Sequence, residues 1–298
     1  MGVEADVSVG EAGIVVESLM QAGTAQTLHT DSLVRQDFHV RKVVEDANAK
    51  SAWCRRGEER AGKRGPIVSE VEGGLSVVRI SDDAVVKFGF GVSQAEADNQ
   101  KRAYELVDPT IARIPRVYRF FTAGQVGYIV MEYVEGKTLD SLADPTCVGR
   151  IAHALSHFAQ IRGDKPGALG GGVSRGLLWS DDLEFAPASI RDIEEYYNTR
   201  QLKSQSLNLK GYPLVLCHLD VAPRNILQLE DGSICLLDWA SAGFYPRLFE
   251  ICTLRLNVQQ HGDLNSKLLD MVENLSDEEE SQALLLQRAH CKSQRFFL

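Results

Sequence analysis

Between residues 211 and 243 the chain reads G-Y-P-L-V-L-C-H-L-D-V-A-P-R-N-I-L-Q-L-E-D-G-S-I-C-L-L-D-W-A-S-A-G, and four of its side chains can do chemistry together. His218, Asp220, Asn225 and Asp238 combine one imidazole, two carboxylates and one amide. Carboxylate and amide oxygens are what a hard cation such as Mg2+ takes as ligands, and a carboxylate beside them can accept the proton of a hydroxyl. A lone Asp or Asn at a loop end would carry no such meaning, so the question passes to the elements that hold them.

Leu214 to Cys217 is a short apolar run of the kind that forms a buried strand, and Ile226 to Leu229 and Ser233 to Leu237 are two more. The last two flank Asp231-Gly232, the strongest short hairpin signal a sequence offers. With those two residues as the turn, Leu229 faces Ile234, Leu227 faces Leu236 and Asn225 faces Asp238. Side chains alternate faces along a strand, so this register predicts Asn225 and Asp238 on one face at the open end of the hairpin, beside the loop that carries Asp220.

The spacing H-x-D-x-x-x-x-N, followed by D-W and then by Pro246-x-x-x-Glu250, resembles that of the aminoglycoside phosphotransferase and choline kinase-like family of the kinase-like superfamily, especially its small fungal members. The resemblance covers about Ile67 to Glu250. It implies an α+β, bilobal protein-kinase-like fold with a β-rich N-lobe and a mostly helical C-lobe. It also implies ATP and Mg2+ as cofactors, and transfer of the γ-phosphate to a hydroxyl of a small molecule. On this resemblance Asp220 orients and deprotonates the acceptor, Asn225 and Asp238 hold Mg2+, and His218 braces the catalytic loop. Lys87, in A-V-V-K-F-G, matches the phosphate-binding lysine. Met131, Glu132 and Val134, in M-E-Y-V-E-G, match the hinge whose backbone bonds the adenine edge. Arg224 either touches phosphate or pins the loop.

The chain also departs from the family. The loop is most often written H-G-D-x-H-P-x-N, and here Leu219 and Ala222 replace the glycine and the second histidine. No G-x-G-x-x-G surrounds Gly73-Gly74, so the cover over the phosphates is expected to be formed differently. A catalytically silent nucleotide-binding scaffold is the alternative of a different class. A protein kinase is disfavoured, because Ala222 stands where its lysine would be and Pro246 to Glu250 follow Asp238 closely.

The chain as a whole reads in three parts. Residues 1–65 read as an extension, helical or partly disordered, with an amphipathic stretch from Asp31 to Ala49. Residues 66–133 read as the N-lobe: strands at Ile67 to Val71, Leu75 to Ile80 and Ala84 to Gly89, a helix from Ser93 to about Val107, then strands at Ile114 to Tyr118 and Tyr128 to Met131. Glu96 either bonds back to Ser93 in a capping box or pairs with Lys87; its helical stripe of Gln100, Ala103 and Val107 turns it inward, whereas Glu105 lies on the opposite side. Residues 134–298 read as the C-lobe, with an apolar stripe of Ile151, Leu155 and Phe158 and helices at Phe249 to Gln259 and Ser276 to His290. His153 and His157 are read as solvent-side residues rather than zinc ligands, since Ala154 stands where H-E-x-x-H has glutamate. Gly170-Gly171-Gly172 lacks a following Gly-Lys-Ser/Thr and is read as a loop. The acids Asp181, Asp182, Glu184, Asp192, Glu194 and Glu195 lie near Trp179; the run reads first as a solvated face with acids at helix N-termini, while the family resemblance implies cationic acceptors held by acids on this lobe, with Trp179 as an aromatic face.

The net charge of -9 argues against nucleic acid and anionic membranes as partners, and no apolar run is long enough to span a bilayer. Six scattered cysteines without a C-x-x-C pair suit free thiols in a reducing compartment, so a soluble cytoplasmic protein is expected. At 298 residues and 44% hydrophobic composition there is ample material for substantial cores.

Overall fold

The computed structural model describes residues 67–71, 75–139, 145–179, 184–199, 206–272 and 274–295. The N-terminal extension, the Gly73-Gly74 turn, Asp181 and Asp182 lie outside the described residues. By internal contacts the chain divides into two units. One holds the described residues up to Val92 together with Phe121–Val130, and the other holds Ser93–Phe120 and Met131 onward.

The first unit is built on strands β1 (Ile67–Val71), β2 (Leu75–Arg79) and β3 (Ala84–Gly89), with β4 (Val117–Ala123) and β5 (Val126–Glu132) completing a five-stranded sheet in the order β1-β2-β3-β5-β4. β1 pairs antiparallel with β2 and β2 with β3, and Lys87 lies opposite Val77 in the middle strand of the sheet. Phe121 stacks on Tyr128, with ring centroids 4.9 Å apart, and Phe88 also stacks with Tyr128 at 5.6 Å. β4 starts at Val117 rather than at Ile114. Pro115 has no N–H to give a ladder, and its carbonyl is taken instead by Gln100 Nε2 at 2.8 Å.

The second unit opens with α1 (Gln94–Leu106), whose start is set by Ser93: its side chain accepts from the Glu96 N–H. Glu96, Gln100, Ala103 and Val107 are all buried, as their spacing predicts, whereas Glu105 is exposed and pairs with Arg102. Then follow β6 (Lys137–Thr138), α2 (Pro145–Phe158), β7 (Gly167–Ala168), α3 (Ile190–Asn198), β8 (Leu214–Cys217), a 3-10 turn (Pro223–Asn225), β9 (Ile226–Gln228), β10 (Ile234–Leu236), β11 (Gly243–Pro246), α4 (Leu248–Leu256), α5 (Val258–Met271) and α6 (Asp277–Arg295). The single helix expected at Phe249 to Gln259 is two helices, broken at Asn257, which leaves helical geometry at φ -87° and ψ 1°. Ser276 caps α6 in a reciprocal box with Glu279, at 3.2 and 2.9 Å.

Two apolar clusters fill this unit. In one, α2 packs Ile151, Leu155 and Phe158 against Ile226, Ile234, Leu236 and Trp239, with Leu264 and Leu268 of α5 behind. In the other, Trp179, Tyr197, Tyr245 and Phe249 meet Leu207, Leu209 and the α6 residues Ala283 and Leu286. β8 runs between them. Leu216 enters the first cluster while Val215 and Cys217 enter the second, which is the period-two alternation of a strand buried on both faces. Among the described residues no helix is long and apolar enough to cross a membrane.

Candidate active site

The alternation that buries β8 continues into the loop behind it. Leu219 joins the second cluster and Val221 the first, so the loop is anchored on both sides and Asp220 is left between them, partly exposed. Leu219 takes a left-handed backbone, φ 63°, where a side chain costs roughly 1–2 kcal/mol. That conformation explains the glycine usual at this position in the family motif. Here a buried carboxylate holds it. Glu250 accepts from the His218 N–H at 2.6 Å and from the Leu219 N–H at 3.1 Å on the same oxygen. Burial pushes the Glu250 pKa up to about 7, against the pull of these two bonds, and the nearby Asp220 charge adds to the rise.

His218 is fully buried and works as a brace. Its Nδ1 accepts from the Asp220 N–H at 3.3 Å, so the ring proton sits on Nε2 and goes to the Leu237 carbonyl at 3.1 Å. The edge of Trp239 packs against the ring at a centroid distance of 4.6 Å. Burial lowers the His218 pKa and so favours the neutral imidazole, while the charges of Asp220 and Asp238 oppose the shift.

Asp220 and Asn225 meet directly. Asn225 Nδ2 donates to Asp220 Oδ2 at 2.8 Å and to the Asp220 carbonyl at 3.0 Å, and no described residue donates to Asn225 Oδ1. Arg224 pins the loop: its Nη2 lies 2.8 and 2.9 Å from the two Asp220 oxygens, and its Nη1 lies 3.1 Å from His261 Nε2. His261 stands where α5 leaves helical geometry, at φ -132° and ψ 39°.

Asp238 reaches this neighbourhood by a different route from the one the hairpin signal predicts. The observed register pairs Ile234 with Gln228, Cys235 with Leu227 and Leu236 with Ile226, one residue away from the expected pairing. Gly232 N–H donates to the Leu229 carbonyl and Leu229 N–H to Ser233, so the loop has three residues, with Gly232 at φ 79° in the bulge position. Asn225 consequently faces Leu237, whose N–H it accepts at 2.8 Å, and Asp238 lies past the end of β10. Its own left-handed backbone, φ 60°, turns the chain at this corner. Trp239 then anchors the corner, fully buried against Phe158, with Nε1 donating to the Leu236 carbonyl at 3.1 Å.

Of the remaining candidates, Lys87 is half-buried in the first unit and Glu96 is buried on α1 of the second. Met131 is buried and its Sδ accepts from Gln100 at 3.4 Å. The Glu132 N–H is taken by the Arg116 carbonyl, and its side chain pairs with Arg113 and accepts from the Arg116 N–H. Val134 is buried.

The aromatic face expected at Trp179 is not open. Its ring is enclosed by Phe185, Tyr196, Tyr197, Tyr245 and Phe249, with centroids 5.3 to 6.0 Å away. Several of the acids beside it have structural partners: Asp192 closes the cap of α3, Glu194 accepts from the Leu209 N–H and Glu195 pairs with Arg191. His153 is exposed, whereas His157 is half-buried with an unpartnered Nε2. Among the described residues no cluster of His, Cys, Asp and Glu could by itself hold a metal. Cys217 and Cys235 are buried, and desolvation raises both thiol pKa values, as suits small core hydrophobes.

The sequence model of the APH family, described as the phosphotransferase enzyme family, matches residues 67–267. The chain belongs to this family. Among solved structures, this phosphotransferase-family chain is similar to a candidate fructosamine-3-kinase from Haemophilus somnus 129PT, at 14% identity and a TM-score of 0.55, covering 81% of this chain and 87% of that one. It is also similar to APH(2")-IIia in a GDP and kanamycin complex, at 13% identity and a TM-score of 0.50, covering 83% and 90%. At these identities the likeness establishes the α+β, kinase-like fold. No curated protein matches the chain by sequence.

Proposed function

We propose that the protein is an ATP-dependent phosphotransferase that uses Mg2+ and moves the γ-phosphate to a hydroxyl of a small molecule. The observation that carries this reading is the 2.8 Å bond from Asn225 to Asp220, in a loop braced from behind by His218 and Glu250. Asp220 orients the acceptor hydroxyl and takes its proton, a role worth roughly 10²- to 10⁴-fold. Asp220 also turns the Asn225 amide so that Oδ1 faces no protein donor among the described residues, which suits an oxygen ligand for a hard cation. With the Asp238 carboxylate it forms the donor set for Mg2+, which when bound offsets charge on the phosphates. Lys87 is the candidate for the phosphate oxygens, Glu96 is a further nucleotide-binding candidate, and backbone groups of Glu132 and Val134, with Met131 before them, are the candidates for the adenine. Residues 66–133 then form the nucleotide lobe, and residues 134–298 carry the loop, the metal donors and the acceptor site. The free thiols at Cys147, Cys217, Cys235, Cys252 and Cys291 support a cytoplasmic setting.

A second reading, a catalytically silent nucleotide-binding scaffold, draws on one observation: Arg224 already engages both oxygens of Asp220. The two separate in an ADP-release assay with MgATP and a panel of alcohols, amines and aminoglycosides. The phosphotransferase reading expects turnover on at least one acceptor, loss of turnover with intact nucleotide binding in Asp220→Asn, and loss of Mg2+-dependent binding in Asp238→Ala. Nucleotide binding without ATP consumption on any acceptor favours the scaffold, and an absence of both overturns the two readings together.

A further inference from the structure

Asn99 lies on α1, 140 residues from the corner that carries Asp238, yet its side chain is bonded to that corner. Its Nδ2 donates to the Trp239 carbonyl and to the Ala240 carbonyl, both at 3.1 Å. Its Oδ1 accepts from the Gly170 N–H at 2.7 Å. The residue is 1% exposed, and both hydrogens of its amide and one oxygen lone pair are committed. No other common side chain of this size supplies two donors and an acceptor in one plane. Gly170 fits the arrangement because a Cβ there would come within 2.7 Å of Asp98 and 2.8 Å of the Asn99 backbone nitrogen.

We infer that Asn99 is a positioning residue for the metal donors, clamping the two carbonyls that follow Asp238. The reasoning rests on the phosphotransferase reading above. Asp238 sits at φ 60°, a left-handed conformation that aspartate tolerates better than most side chains but that remains uncommon outside glycine. A clamp on the next two peptide units restricts how that carboxylate can be aimed. Asn99 shares its buried face of α1 with Glu96 and Gln100, so one amide fixes the helix that carries Glu96 and the corner that carries Asp238 in a common frame. Outer partners of this kind matter because a metal site needs its ligands aimed as well as present.

The test uses the full-length protein, a non-hydrolysable ATP analogue and a Mg2+ titration followed by calorimetry. Asn99→Ser and Asn99→Asp should raise the Mg2+ concentration for half-saturation by about tenfold or more, the range expected for losing an outer partner of a metal site. Asn198→Ser is the control, because Asn198 makes the same kind of amide clamp on Leu207, at 3.1 and 2.6 Å, outside the site. It should lower the unfolding temperature without moving the Mg2+ requirement. If Asn99→Ser leaves the requirement unchanged, or Asn198→Ser moves it as far, the positioning role is overturned while the phosphotransferase reading stands. A wild type whose nucleotide binding ignores Mg2+ overturns both. Hydrogen exchange on the wild type gives a measurement independent of whether the variants fold: protection of the Gly170 amide should rise when Mg2+ and nucleotide bind, and unchanged protection counts against the clamp.

Discussion

Replacing Glu250 by glutamine should change how stability depends on pH, by an amount the structure sets. Glu250 is buried beneath the loop that carries Asp220, and desolvation raises its pKa from 4.5 to about 7. Below about pH 4.5 the carboxyl is protonated in both the folded and the unfolded chain and burial costs it little. As pH rises, the unfolded chain releases its proton first and the folded chain keeps it until about pH 7. The folded state therefore binds more protons across that window, so the contribution of this residue to stability falls from about pH 4.5 to about 7 and stays low above it. At about 1.4 kcal/mol per pH unit the total is on the order of 3 kcal/mol. Glu250→Gln removes the titration but keeps an oxygen that can accept from the His218 and Leu219 N–H groups. Urea unfolding of both proteins at intervals from about pH 5 to about 8 should show wild type losing most of that 3 kcal/mol relative to the variant. His218 and His290, whose pKa values burial lowers, contribute with the opposite sign, but both proteins contain them and they cancel in the difference. Curves that stay parallel would refute the argument that desolvation governs Glu250. A difference that grows in favour of wild type at high pH would mean that the two N–H bonds outweigh burial.

Three further expectations concern backbone and packing. Leu219→Ala and Leu219→Gly remove nearly the same buried surface, but only glycine accepts φ 63° without strain, so the glycine variant should be the more stable by about 1 kcal/mol in denaturant unfolding; the reverse order would show that the left-handed conformation costs nothing. Gly170→Ala should lower stability by about 1–3 kcal/mol, because its Cβ would press on the backbone of Asp98 and Asn99, and thermal unfolding reads this directly. Trp179→Ala should cost about 3–5 kcal/mol and leave the KM for the acceptor unchanged, since the ring is enclosed by aromatic neighbours; a KM effect without a stability effect would restore the cation-binding role.

Much of the strand and helix plan was legible because its cues are local. Leu214–Cys217, Ile67–Val71 and Ala84–Gly89 are apolar runs bounded by turn residues, and the structure forms strands at those same bounds. Ser93 and Ser276 announce their helices by cap chemistry within four residues. The hairpin register failed for an equally local reason. Asp231-Gly232 can close a two-residue turn, or it can end a three-residue loop with glycine in the bulge, and the two choices differ by one residue of register. In the structure the Asp231 side chain accepts from both the N–H and the hydroxyl of Ser233, at 2.8 and 2.6 Å, which ties down the second choice. β7 and β11 were missed because they are short and are made strands only by partners far along the chain. The nearness of Asp220 to Asn225 was readable from their spacing in one loop. The clamps were not: Glu250 stood in the sequence only as part of the Pro246-x-x-x-Glu250 spacing with no partner indicated, and Asn99, which holds the Trp239-Ala240 corner, left no mark because it acts on backbone carbonyls.

Those two clamps explain how the site tolerates its own strain. Among the described residues only Leu219 and Asp238 place a side chain on a left-handed backbone; one precedes Asp220 and the other is the proposed metal donor. A left-handed backbone costs a leucine roughly 1–2 kcal/mol and an aspartate less, so Leu219 depends on its surroundings more than Asp238 does. Each is met by one buried polar side chain of opposite hydrogen-bonding sense. Glu250 accepts from the N–H groups at His218 and Leu219, and Asn99 donates to the carbonyls of Trp239 and Ala240. A peptide that turns left-handed at a loop exposes N–H groups on one side and carbonyls on the other, and this chain uses an acid for the first and an amide for the second. The apolar clusters anchor the side chains on either side but cannot pair the buried N–H and carbonyl groups, which these two polar side chains do. It follows that catalytic geometry in this chain should be more sensitive to Glu250 and Asn99 than to any single apolar neighbour of equal burial, such as Leu216.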